Sequence, residues 1–108
     1  MKTRKLHLKV IRKSHKPEKK YDAIFLSLSG KEKVIPFGQR GYNDFIIYNK
    51  KFGNKTAKQH KQRYLKRHSG MGEHWQKPDT PGALSKWVLW NKPSFRASVA
   101  DFKKRFHL

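Results

Sequence analysis

His60, His68, Glu73 and His74 are of the types that hold metal ions or move protons, and they fall in one stretch of the chain. A nuclease built on them would need clustered carboxylates to bind magnesium. The acids are instead scattered as Glu18, Asp22, Glu32, Asp44, Glu73, Asp79 and Asp101. No histidine pair stands at i, i+4, and the link Ser69-Gly70-Met71-Gly72 is flexible in composition. Cysteine is absent, which excludes disulfides, thiolate zinc sites and thiol nucleophiles. No phosphate-cradling loop and no catalytic triad stands out. No catalytic residue, metal or cofactor is therefore expected, and the chain reads as a non-enzyme.

The chemistry it does carry is cationic. Lys and Arg number 27 against 7 Asp and Glu, a formal charge of +20 on 108 residues. So much like charge opposes compaction and invites a polyanionic partner: nucleic acid, an anionic membrane surface or an acidic protein face. Lysine, a point charge, outnumbers arginine 20 to 7. Arginine's fork suits bidentate reading of guanine edges, so the balance favours neutralising phosphates over reading bases. Residues 1–20 carry nine basic residues and one acid, with Lys9, Arg12 and Lys13 as candidate contacts. Lys50, Lys51, Lys55, Lys58, Lys61, Arg63, Lys66 and Arg67 follow with no acid among them. A helix holding that charge suffers repulsion at i, i+4 spacing, and a bound polyanion removes it. These eight are the main candidates for binding nucleic acid or another anionic surface, with Arg63, Tyr64 and Arg67 able to add shaped contacts. Tyr64 on its own reads as core packing. Trp75, Trp87 and Trp90 could stack on bases, as in single-strand binders. Trp87 and Trp90 lie in an apolar helical run and read as core, while Trp75 is open to either role.

The elements that must position these groups fit one domain. Aromatic residues make up 13% of the chain, more than a disordered basic tail carries. No apolar run reaches the roughly 20 residues that span a bilayer, and the basic N-terminus lacks the apolar region of a secretory signal. Between Lys5 and Val10, Leu6, Leu8 and Val10 alternate with His7 and Lys9, the period of a strand. Residues 1–20 are accordingly a basic arm or an edge strand, and 21–108 a single domain. Tyr21–Ser29 is the strongest strand, Lys33–Phe37 its hairpin partner, and Pro36 places that partner at a sheet edge. Asp44–Tyr48 reads as a third strand or a short helical turn. Lys55–His68 has a helical period. Thr80-Pro81 looks like an N-cap and first-turn proline, opening a helix with Leu84, Trp87 and Val88 on one face that ends near Asn91. Ser94 caps a last helix with Phe95, Val99, Phe102 and Phe106 on one face. The expected fold is α+β, a small antiparallel sheet from the first half packed by two or three helices from the second.

Three blocks of residues also resemble a family. Phe37-Gly38 with Gly41-Tyr42-Asn43-Asp44-Phe45 is similar to an FG-x-x-GY-x-D-[FY] signature, and Arg63-Tyr64-Leu65-Lys66-Arg67-His68 to RY-x-x-RH. After Trp75, Leu84-Ser85-Lys86-Trp87-Val88-Leu89-Trp90-Asn91-Lys92-Pro93-Ser94 is similar to an [LW]S-x-W-x-LWNKP-[ST] block. Together they resemble the small basic proteins of unknown function of nucleocytoplasmic large DNA viruses, over roughly residues 31–101. Such proteins often carry acids before the RY pair, where this chain has Gln59-His60-Lys61-Gln62. The resemblance implies a virion protein of a large DNA virus, present in host cytoplasm or nucleus during assembly. Two roles fit the charge. One is binding packaged double-stranded DNA without sequence preference. The other is that of a minor capsid protein, cementing capsomers through acidic capsid surfaces or bridging the shell to an anionic internal membrane. A ribosomal or RNA-binding protein would carry a higher share of arginine.

Overall fold

A short alternating start in β1, an apolar run in β2 and two short connections give an antiparallel meander of β1 (Leu6–Lys13), β2 (Lys19–Ser27) and β3 (Glu32–Gln39), with β2 in the centre. The computed structural model describes residues 6–70 and 74–108. The expectations placed on residues 1–5 and on Met71, Gly72 and Glu73 lie outside them. Pro36 sits within β3 opposite Asp22, on an edge strand, where a missing N–H donor is tolerated.

The expected alternation of β1 holds only to Leu8. Leu8 faces Phe25 and Val10 faces Ile24, so Lys9 is an extra residue in a β-bulge. An inserted residue swaps the faces beyond it. Val10 is therefore turned away from the core and is 43% exposed, while Ile11 packs against the core in its place.

One face of the sheet carries Leu8, Ala23, Phe25 and Phe37, and Leu84, Val88, Leu89 and Phe102 pack onto it to make the core. These last four come from the end of the chain. Thr80 Oγ1 accepts the Ala83 N–H at 3.3 Å and opens α3 (Pro81–Leu84). The chain widens directly into a π-helical turn, Ser85–Leu89, closed by the Trp90 N–H on the Ser85 carbonyl at 3.1 Å. Ser94 Oγ accepts the Ala97 N–H at 3.0 Å and opens the last helix, Phe95–Phe106. Phe102 on that helix is fully buried, with Phe95, Val99 and Phe106 packed around the same core.

These C-terminal elements form a lid on the sheet, and between sheet and lid in sequence comes a helical hairpin. The 44–48 segment is helical, not a strand: Asp44 Oδ1 accepts the Ile47 N–H at 3.0 Å and starts α1 (Phe45–Phe52). Gly53, at φ +90°, turns the chain in one residue into α2 (Asn54–Ser69). With α3 at Pro81–Leu84 and α4 at Phe95–Phe106, the fold is α+β: a three-stranded antiparallel sheet followed by four helices. Among the described residues, no helix is long and apolar enough to cross a membrane.

Candidate nucleic-acid interface

On α2, Ala57 and Tyr64 are buried, which fixes the opposite side as the outward one. Lys55, Lys58, Arg63, Lys66 and Arg67 are exposed, interleaved with Gln59 and Gln62, and Lys50 and Lys51 are exposed on the last turn of α1. At 1.5 Å per residue, Lys55 to Lys66 spans about 16 Å. Neither helix contains an acid. None of these seven cations forms an ion pair with an acid of the described residues.

The acids neutralise other cations. Glu32 takes Lys9 at 2.6 Å, Asp22 takes Arg12 at 3.6 Å, Asp44 takes Lys20 at 2.7 Å, Asp79 takes Lys33 at 3.0 Å and Asp101 takes Arg105 at 3.2 Å. Of the candidates on β1, Lys9 and Arg12 are thus already compensated. Asp22 is buried, which raises its carboxyl. The hydrogen bonds from Ser14 Oγ and the His15 N–H, with the charges of Arg12 and His15, outweigh this and hold it below the ordinary aspartate range. Lys13 lines a recess of about 330 Å³ with Lys20, Arg40 and Phe95.

Lys61 departs from its expected role. Its Nζ donates to the Asn91 carbonyl at 2.9 Å and lies 4.9 Å above the Phe45 ring. It ties α2 to the Trp90–Ser94 segment and does not face outward with the other lysines. That segment is a junction. Trp90 stacks on Tyr64 at 4.6 Å, Asn91 Nδ2 donates to the Trp87 carbonyl and to Asp101, and the Lys92 N–H donates to the buried Ser98 Oγ. Pro93 and Ser94 then launch α4. Trp87 likewise serves packing, donating its indole N–H to the Trp75 carbonyl at 3.0 Å, with Arg105 stacked 3.9 Å above its ring. Lys86 lies between Trp75 and Trp87, at 4.1 and 4.3 Å from their rings.

Burial depresses the Lys61 ammonium, with Lys92 and Lys58 adding repulsion, and burial depresses Lys86 similarly beside Arg105 and Lys61. Below the ordinary lysine value of about 10.4 the unfolded chain therefore binds more protons than the folded one, so stability rises with pH there. Tyr21, raised by burial and by Asp44, opposes this only from about pH 10 upward. The urea midpoint is expected to increase between about pH 8 and pH 9.5, and Lys61→Met to flatten part of the rise. A midpoint that is constant or falls over that range contradicts this account.

The three blocks of residues singled out above converge on a cleft of about 390 Å³. Phe37, Gly38, Tyr42, Asn43 and Asp44 line it from the first, Tyr64, Arg67 and His68 from the second, and Ser85, Leu89 and Trp90 from the third. Gly38 is required here: at φ +79° its missing Cβ would stand 3.0 Å from Leu89 Cδ1. Rings continue from the cleft along α2. His68 stacks on Tyr64 at 4.3 Å, Tyr64 on Trp90, and Tyr48 on His60 at 3.9 Å with Trp90 6.2 Å away. Residue type alone points the histidines toward metal ligation and gives no hint of this stacking. Their spacing with Tyr64, at positions 60, 64 and 68, was the available signal.

Residues 9–68 match a family described as a family of unknown function (DUF5754). No curated protein matches the chain, and no solved structure does.

Proposed function

We propose that this chain, which belongs to the DUF5754 family, is a non-enzymatic basic protein that binds double-stranded DNA without sequence preference through the outward face of α1 and α2. The supporting observation is the unequal neutralisation of charge. Five acids are spent on Lys9, Arg12, Lys20, Lys33 and Arg105, whereas Lys50, Lys51, Lys55, Lys58, Arg63, Lys66 and Arg67 lie together on two successive helices that contain no acid, a surface without acid partners among the described residues. Five of these seven are lysines, which neutralise phosphates but read no base edge. The resemblance of the three blocks to proteins of large DNA viruses supports a place on the packaged genome of a virion.

Salt titration tests this. If 6–8 phosphates are contacted, affinity for a mixed-sequence duplex falls roughly 10³-fold or more between about 50 and 200 mM salt. Duplexes of different sequence give the same curve. A shallow dependence, or a strong preference for one sequence, would refute the reading.

A second reading is favoured by the other face of the sheet. Val10, Ile24 and Val34 lie side by side across the three strands, with Val10 and Val34 each 43% exposed, and Leu28 at the next turn is 75% exposed. A minor capsid protein needs such an apolar contact besides charge, and acidic capsid proteins or an anionic membrane would then take the cations.

A further inference from the structure

We infer that the cleft between the three blocks is a nucleotide pocket, taking one unpaired base with its phosphate. Its volume, about 390 Å³, lies at the lower end of the range of small-ligand sites, enough for a single nucleotide. Its lining has the two halves such a ligand needs. The deep part is apolar and aromatic: Phe37 and Leu89 are buried, and Tyr64 and Trp90 stand stacked beside them. The mouth is polar and cationic. Lys19 and Arg67 stand there against no acid of the described residues, while Lys20 is already matched by Asp44. The net field therefore favours an anion, and two cations suit one phosphate group better than a long polyanion.

Tyr42 and Ser85 add the elements of recognition. Tyr42 is 68% exposed although it lines the cleft, so its ring is available to cover an incoming base. Stacking of that kind is tolerant of base identity. Ser85 and Asn43 offer hydroxyl and amide groups suited to a base edge or a sugar. One wall is made by the π-helical turn, which contributes Ser85 and Leu89 and is closed by Trp90. Such turns are rare and occur often at functional sites. A duplex cannot place a stacked base here, so the pocket would discriminate single strands and free nucleotides from duplex DNA. It shares only Arg67 with the cationic face of α1 and α2 and does not depend on that face binding DNA.

Tryptophan fluorescence of the full chain tests this with four probes: AMP, the single strand (dA)7, a seven-base-pair duplex and inorganic phosphate. AMP and (dA)7 are expected to bind and to perturb the emission, because Trp90 lines the cleft. Tyr42→Ala, in an exposed turn that the fold does not depend on, is expected to weaken both by about tenfold, within the range of a lost base–aromatic stack. Arg67→Gln is expected to weaken both, and Ser85→Leu to block the cleft. Equal affinity for AMP and for (dA)7 identifies a free nucleotide as the ligand. Tighter binding of (dA)7 than of AMP that persists when Lys51, Lys55, Lys58 and Lys66 are Gln, and that the seven-base-pair duplex does not share, identifies an unpaired unit of a strand. Replacing Lys51, Lys55, Lys58 and Lys66 by Gln should leave AMP binding intact while lowering duplex affinity, which keeps failure of the two proposals distinguishable. The pocket is refuted if AMP does not bind at about 5 mM, well above a millimolar Kd. It is equally refuted if inorganic phosphate competes as well as AMP, or if Tyr42→Ala binds AMP as the wild type does.

Discussion

Replacing Lys51, Lys55, Lys58 and Lys66 together by Gln is expected to weaken duplex DNA binding roughly 10²-fold near physiological salt and to reduce the salt slope by about 3–4. All four side chains are exposed and none is in a described ion pair, so the change removes charge without opening the core, and Gln preserves helix propensity. Lys61 is left in place because its ammonium holds the Asn91 carbonyl. Replacing it would confound lost charge with a loosened junction. The measurement is fluorescence anisotropy of labelled duplex at several salt concentrations, with thermal unfolding to show that stability is kept. An unchanged slope would mean that the phosphates lie elsewhere. If the chain is a virion protein, as proposed, the same variant in purified particles separates the two proposed roles. Genome binding predicts reduced incorporation by quantitative mass spectrometry. Capsid cementing predicts wild-type copy number, held by exposed apolar residues such as Val10, Val34 and Leu28.

Asp44→Ala is expected to be the most damaging single change outside the core, costing roughly 3–5 kcal/mol. One carboxylate does two jobs there. Oδ1 caps α1 through the Ile47 N–H, and Oδ2 holds Lys20 at 2.7 Å, where the lysine side chain is only 14% exposed. Losing the cap accounts for about 1 kcal/mol, and most of the remainder is the penalty of a largely buried ammonium left without its counter-charge. At about 4–8 °C per kcal/mol in a domain of this size, Tm should fall by at least about 12 °C. Asp44→Asn retains a capping oxygen and should therefore recover only the smaller share. Adding Lys20→Met to Asp44→Asn should restore stability further, since it removes the orphaned charge. If Asp44→Asn melts like the wild type, the ion pair contributes nothing and the cap alone matters.

What could be read from the chain was local. Ser94 and Thr80 announced their helices because a capping hydroxyl acts within three residues, and the i, i+4, i+7 spacing of Phe95, Val99 and Phe102 needs only one helix to be seen. Asp44–Tyr48 was ambiguous for a physical reason. Ile46-Ile47-Tyr48 favours a strand by side-chain type, and the helix is decided by the Asp44 cap and the packing of α1 on α2. The bulge at Lys9 has no Gly or Pro to mark it, and plain alternation therefore puts Val10 on the wrong face. The site was harder still. Lys9 and Glu32 are 23 positions apart, and Lys33 and Asp79 are 46 apart. Pairing over such separations decides which cations remain without a counter-charge, and no window along the sequence contains it. Lys61 looked like its neighbours because only the path of the Trp90–Ser94 segment sets it apart. The cleft is assembled from blocks that begin near residues 37, 63 and 84, and composition does not report their meeting.

The lid that completes the core has a consequence for how the chain acquires its structure. The meander β1-β2-β3 and the α1–α2 hairpin form from neighbours in sequence and can close early. Yet the apolar sheet face around Phe25 and Phe37 is covered by Leu84, Val88, Leu89 and Phe102. A growing chain that has reached residue 70 holds its strands but not their cover, and its sheet face remains open to water or to another copy. Contacts of this sequence separation slow folding, and open sheet surface during that interval invites misassembly. The family match covers residues 9–68 and includes none of these four covering residues, so that stretch alone is expected to leave its sheet face open. Truncation after it should give an aggregating fragment, and a polyanion bound to the exposed lysines early on would keep such chains apart until the last helix docks.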